Sequence, residues 1–118
     1  IAYNSNIQDM TIPHDGFPPC AKKYCEIAAS LGIINFNEVS TVRSLMNYLK
    51  ILAREMEEPC CIKDIKTISK EEYFGASPEM AAAALRDATT QTNPRVPTQE
   101  EVEAIYRDIW DFEVVDKY

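Results

Sequence analysis

Only three glycines occur in these 118 residues, Gly16, Gly32 and Gly75, and their separation leaves no glycine-rich loop to cradle a phosphate. A self-contained nucleotide site of that kind is excluded. A single histidine, His14, is present, so a metal cluster built on imidazoles cannot be written, and a nucleophile–histidine pair has one base to draw on. No apolar run approaches the roughly eighteen residues that cross a bilayer, and the opening IAYNSNIQDM lacks the basic and apolar regions of a signal peptide. The chain reads as soluble. Cations are outnumbered, twelve Lys and Arg against nineteen Asp and Glu for a net charge of −7. That balance argues against nucleic acid and anionic membranes as partners, because both are bound through clustered Lys and Arg. The sequence opens without methionine, and the expectation is a processed product or a piece of a longer chain.

Four cysteines are present: Cys20, Cys25, Cys60 and Cys61. Adjacent Cys60 and Cys61 disfavour a bond to each other, and the spacing suits one tetrahedral zinc ion poorly. Reduced, half-buried thiols are expected, with two long-range bridges as the other reading.

At this length a chain buries roughly two thirds of its unfolded surface, enough for one cohesive core. Residues 1–17 show no sustained period, and Pro13, His14, Asp15 and Gly16 form a turn cluster, so an extended lead-in is predicted. Pro18 and Pro19 preset a helix over about 18–31, whose apolar face is Ala21, Tyr24, Cys25, Ala28 and Leu31 and whose end is Gly32. Asn37 caps a second helix, about 38–57, striped by Val42, Leu45, Met46, Leu49, Leu52, Ala53 and Met56 and stopped by Pro59. Residues 62–69 fit a single turn or a brief extended connector. Ser69 and Ser77–Pro78 predict two starts, a short helix over 70–74 and a longer one over 78–88. TTQTNPRVP, residues 89–97, reads as a structured loop. Thr98 and Glu101 spell a capping box for a last helix, about 99–112, with Glu103 and Arg107 as an exposed pair. The fold class is all-α, an orthogonal helical bundle of four to five helices.

No catalytic constellation is visible. His14 in a Pro–Gly turn suits a surface residue better than a ligand. Neighbouring acids such as Glu57–Glu58 and Glu100–Glu101 point about 100° apart on a helix and do not converge. Nothing positions Cys20 or Cys25 beside His14. Tyr24, Tyr48, Tyr106 and Trp110 fall on or beside apolar stripes, as core residues do.

LRDATTQTNPRVPTQEEVEAIY, residues 85–106, resembles the C-terminal signature of iron-dependent (group III) alcohol dehydrogenases. Ile1-Ala2-Tyr3-Asn4, KYCEIAASLGI at 23–33 and REMEEP at 54–59 agree with that family in the same order, so the similarity spans nearly the whole chain. Within the family the sequence looks closest to members acting on short-chain aldehydes in ethanolamine or propanediol use. The resemblance implies a two-domain parent, with an N-terminal nucleotide-binding domain, NAD or NADP, and Fe(II) or Zn held by an Asp and three His. Those ligands lie upstream of the family's Tyr-Asn run, so residues 1–118 form a C-terminal helical subdomain that supplies no catalytic residue and no metal ligand. His14 matches no ligand position. Thr89 stands where the family often has Cys and is the one position implied at the edge of the cofactor pocket. Asn93, Pro94 and Arg95 match the motif and read as architecture.

The implied activity is hydride transfer between NAD(P)H and a short-chain aldehyde, in a cytoplasmic homo-oligomer or in a bacterial microcompartment. The isolated chain is expected to be inactive and to bind no cofactor. An absent N-terminal domain would leave part of the Ala81–Ala84 face or the Trp110 side bare and invite self-association. Two other classes stay open: a disulfide-bridged carrier of a small ligand, and a module that binds partner helices through its apolar stripes.

Overall fold

The computed structural model describes residues 1–5 and 18–111. The predicted turn cluster around His14 and residue 112, the last of the final predicted helix, lie outside them; the helix itself ends at Asp108, before residues 109–111 that were expected to continue it. Among the described residues the structure is helical throughout, with no strand: α1 (Ala2–Ser5), α2 (Pro19–Ser30), α3 (Glu38–Glu55), a 3-10 turn (Ile62–Asp64), α4 (Lys70–Arg86), α5 (Ala88–Gln91) and α6 (Gln99–Asp108). The all-α expectation holds. The chain divides into two compact units, Ile1–Leu52 and Ala53–Tyr118, with the division inside the last turn of α3.

In the first unit, Ala2–Ser5 is helical rather than extended, closed by the Ser5 amide on the Ile1 carbonyl at 3.0 Å. Asn4 ties this turn to α2, its Nδ2 donating to the Tyr24 hydroxyl at 3.3 Å while its carbonyl accepts the Cys20 thiol at 2.9 Å. The end of α2 follows the glycine rule. Gly32 takes φ +78°, its amide reaches Ala29 O at 3.0 Å and the Ile33 amide reaches Ala28 O at 2.9 Å, which satisfies two carbonyls the helix would otherwise orphan. Asn37 caps α3 as predicted, Oδ1 accepting the Ser40 amide at 2.9 Å. The core of this unit is Val39 and Val42 against Tyr24, Cys25 and Met46.

In the second unit the two helices expected over 70–74 and 78–88 are one continuous α4 with Pro78 inside it. Proline lacks the amide that would bond the Phe74 carbonyl, and the Ser77 hydroxyl donates to that carbonyl instead, at 2.8 Å. The missing donor is thereby replaced from the neighbouring residue. Ser69 opens α4 with a capping box to Glu72, and Thr98 opens α6 with the expected one to Glu101. The predicted Glu103–Arg107 pair forms at 3.6 Å. Residues 89–91, expected as loop, join Ala88 in the single turn of α5.

Helices α4 and α6 pack through aromatic rings. Tyr73 lies 5.5 Å from Trp110 and edge-on to Tyr106 at 6.4 Å, and its hydroxyl donates to the Tyr106 carbonyl at 3.1 Å. Phe74 completes the cluster at 5.8 Å from Trp110. The Ile62 and Lys63 amides donate to the Ile109 and Trp110 carbonyls at 3.0 and 2.9 Å, so the connector before α4 caps the end of α6. Ala81 is wholly buried and Trp110 is 9% exposed. Ala83 is exposed and Ala82 and Ala84 are half-buried, so part of the Ala81–Ala84 face is open while Trp110 is covered, and further bare apolar surface lies elsewhere among the described residues. Ile27, Leu31, Ile34, Phe36, Tyr48, Leu49, Ile51 and Leu52 of the first unit hold much of it.

Candidate functional site

The site residue singled out by sequence, Thr89, sits in the corner between α4 and α6. Asp87 builds that corner from both sides. Its amide closes α4 on the Ala84 carbonyl at 3.2 Å, and its carboxylate opens α5 by accepting the Thr89 amide at 2.8 Å and the Thr89 hydroxyl at 2.6 Å. These bonds, the hydroxyl first and the amide second, hold the Asp87 carboxyl below its ordinary range. Thr89 is exposed, with its hydroxyl committed as a donor and its oxygen still able to accept. Asp87 was missed at the sequence level, although an Asp two residues before a Thr at a helix start is itself a capping signal.

The Asn-Pro-Arg turn is fixed from within. Asn93 Nδ2 donates to the Arg95 carbonyl at 2.6 Å, and the Arg95 guanidinium reaches Glu101 Oε1 at 2.7 Å. Glu101 Oε2 accepts the Thr98 amide at 2.9 Å. One carboxylate thus joins the turn to the N-terminus of α6. The Arg95 side chain pairs with the Glu101 carboxylate across the turn.

None of the four cysteines is in a disulfide, and each is half-buried. Cys20 bonds the Asn4 carbonyl, Cys25 the Glu38 carbonyl at 3.8 Å and Cys60 the Glu58 carbonyl at 3.8 Å, so the carrier reading lacks its bridges. Burial, then the Glu38 charge, pushes the Cys25 thiol up; burial, then the bond to Asp64, does the same to Cys61. Both shifts run away from a thiolate nucleophile. Among the described residues no three His, Cys, Asp or Glu side chains are grouped to hold a metal ion. Gly32 and Gly75 cradle nothing, since a Cβ at either would meet no atom within 4 Å. Neither an iron centre nor a pyrophosphate fits the residues described.

Residues 1–110 match the family model described as the Fe-containing alcohol dehydrogenase family, C-terminal. The chain belongs to the Fe-containing alcohol dehydrogenase family. Curated relatives of this iron-type dehydrogenase domain include the 1-propanol dehydrogenase PduQ of Salmonella typhimurium, 25% identical over 96 residues, which covers 80% of this chain and 26% of the relative. The 1-propanol dehydrogenase PduQ of Citrobacter freundii is 31% identical over 81 residues, 67% of this chain and 22% of the relative. The chain therefore spans about a quarter of the length of the curated relatives it matches. No solved structure matches it. The dehydrogenase family membership agrees with the resemblance read from the Asn93-Pro94-Arg95 segment.

Proposed function

We propose that these residues form the helical wall of the active-site cleft in a longer NAD(P)-dependent, metal-dependent dehydrogenase that interconverts short-chain primary alcohols and aldehydes. Carbonyl polarisation by iron or zinc and the hydride of the nicotinamide are chemistry supplied by groups bound outside this chain. The contribution of the residues here is positional. Asp87 holds Thr89 at the α4–α5 corner, and the Arg95–Glu101–Thr98 chain of bonds keeps the loop after it in one shape. Thr89 then offers the pocket edge a hydroxyl oxygen that accepts a hydrogen bond.

The observation carrying this reading is the family match over residues 1–110. The relatives' name, 1-propanol dehydrogenase, supports a short alcohol as substrate. The same reading gives the parent a nucleotide-binding domain as partner in its own chain, a homo-oligomeric state, and a cytoplasmic or microcompartment location. Its test is direct. The purified 118-residue chain, incubated with propanal, NADH or NADPH and ferrous ion, is expected to oxidise no cofactor and to bind none by calorimetry; steady turnover would overturn the reading.

A further inference from the structure

Cys60 and Cys61 are consecutive and stand outside the α-helices, in the bend between Pro59 and the 3-10 turn. Asp64 organises this bend from within the second unit. Its Oδ2 accepts the Cys60 amide at 3.2 Å, and the same carboxylate accepts the Cys61 thiol. The next two amides, of Ile62 and Lys63, are fixed on the Ile109 and Trp110 carbonyls, so the thiols sit on an anchored base. The Cys60 thiol reaches the Glu58 carbonyl at 3.8 Å, a weak bond that sulfur gives up at little cost. Both side chains are half-buried, which leaves each partly open to solvent.

Consecutive thiols are badly placed to join each other. Their Cα atoms are about 3.8 Å apart, short of the roughly 4.4 Å at which disulfide spans begin. One atom set between the two sulfurs enlarges the ring and removes that misfit. We propose that Cys60 and Cys61 together form a dithiol site for a trivalent arsenical of the type R–As=O. Each sulfur forms one bond to arsenic, and the two thiol protons leave with the arsenical oxygen as one water. Arsenic stays trivalent, so nothing is oxidised or reduced. The balance consumes thiols rather than thiolates, and the upward shift that burial and Asp64 give Cys61 does not oppose it. Sulfur is the soft donor that such a centre selects. The second sulfur is delivered within the same chain, which makes the double attachment far firmer than a single one. Cys20 and Cys25 do not offer this. They lie five residues apart on α2, about 140° apart around the helix, and bond to the separate carbonyls of Asn4 and Glu38. The site stands apart from what the longer enzyme does.

Intact mass of the 118-residue chain, treated without denaturant with phenylarsine oxide and then with excess mercaptoethanol, tests it. One phenylarsenic group per chain should survive the monothiol and leave on addition of 2,3-dimercaptopropanol. Fragmentation of the unsubstituted adduct should place it on residues 60 and 61, a readout that needs no variant. Cys60→Ser and Cys61→Ser should each lower the surviving adduct on the order of tenfold or more, whereas the double variant Cys20→Ser with Cys25→Ser should keep it. No adduct that outlasts mercaptoethanol, fragmentation placing it elsewhere, its persistence in either single variant, or its loss with Cys20 and Cys25 would each overturn the site.

Discussion

Removing one hydroxyl from the middle of α4 should show how this helix runs through a proline. In an uninterrupted helix the Phe74 carbonyl would accept the amide of residue 78, which Pro78 does not have. The Ser77 hydroxyl fills the gap at 2.8 Å from a side chain only 1% exposed. Ser77→Ala leaves that carbonyl without a donor, at a cost of about 1–3 kcal/mol, offset by about 0.5 kcal/mol of helix propensity. The net loss is about 1–2 kcal/mol, a fall of roughly 4–8 °C in melting temperature for a chain of this size. The decisive comparison is a double-mutant cycle with Pro78→Ala. Alanine at 78 restores the amide, so in that background Ser77→Ala should be neutral or stabilise by up to about 0.5 kcal/mol. Urea unfolding of the four proteins measures the coupling, expected near 1–2 kcal/mol. An equal effect of Ser77→Ala in both backgrounds would refute the substitution of hydroxyl for amide.

Two further outcomes concern the packing of α4 on α6 and the caps. Tyr73→Phe keeps the ring against Trp110 and loses only the bond to the Tyr106 carbonyl, so it should cost about 1 kcal/mol, whereas Tyr73→Ala empties the cluster and should cost about 3–5 kcal/mol in the same unfolding assay. The carboxyls of Glu72 and Asp87 are held below their ordinary 4.5 and 3.8, chiefly by hydroxyl bonds from Ser69 and Thr89. A depressed folded value means the unfolded chain takes up protons first, so their contribution is full above about pH 5 and drains as pH falls through the depressed values. Melting temperature followed from pH 7 to 3 should drop on that acid limb, and Asp87→Asn with Glu72→Gln should flatten it; an unaltered limb in the double variant would count against these bonds.

What could be read from sequence was what neighbours in the chain decide. Asn37, Gly32 and Thr98 terminate helices through bonds within about five residues, and each was found where expected. Pro78 was misread because its ordinary place is a helix start, and only the direction of one hydroxyl shows that the helix continues. Residues 89–91 were misread for a related reason: Thr and Gln have no strong helical pull, and the Asp87 cap creates the turn. Of the candidate site, the tight Asn-Pro-Arg turn was legible, whereas the helical turn that holds Thr89 was not. The pairing of Arg95 with Glu101 was not, since it depends on how the loop folds back onto α6. Periodicity likewise located the apolar side of α3 but not the point at which its cover ends, because a stripe records chemistry and not what lies against it.

The two amides that reach from Ile62 and Lys63 to the Ile109 and Trp110 carbonyls, just past α6, close a circuit from the stretch ahead of α4 to the end of α6. Neither end of that circuit can open while the other stays formed, so protection of these two protons against deuterium should rise and fall with that of the α6 backbone as one cooperative block. A chain shortened before Ile109 would release both donors at once, and the stretch ahead of α4 would be expected to fray although no residue within it had been changed.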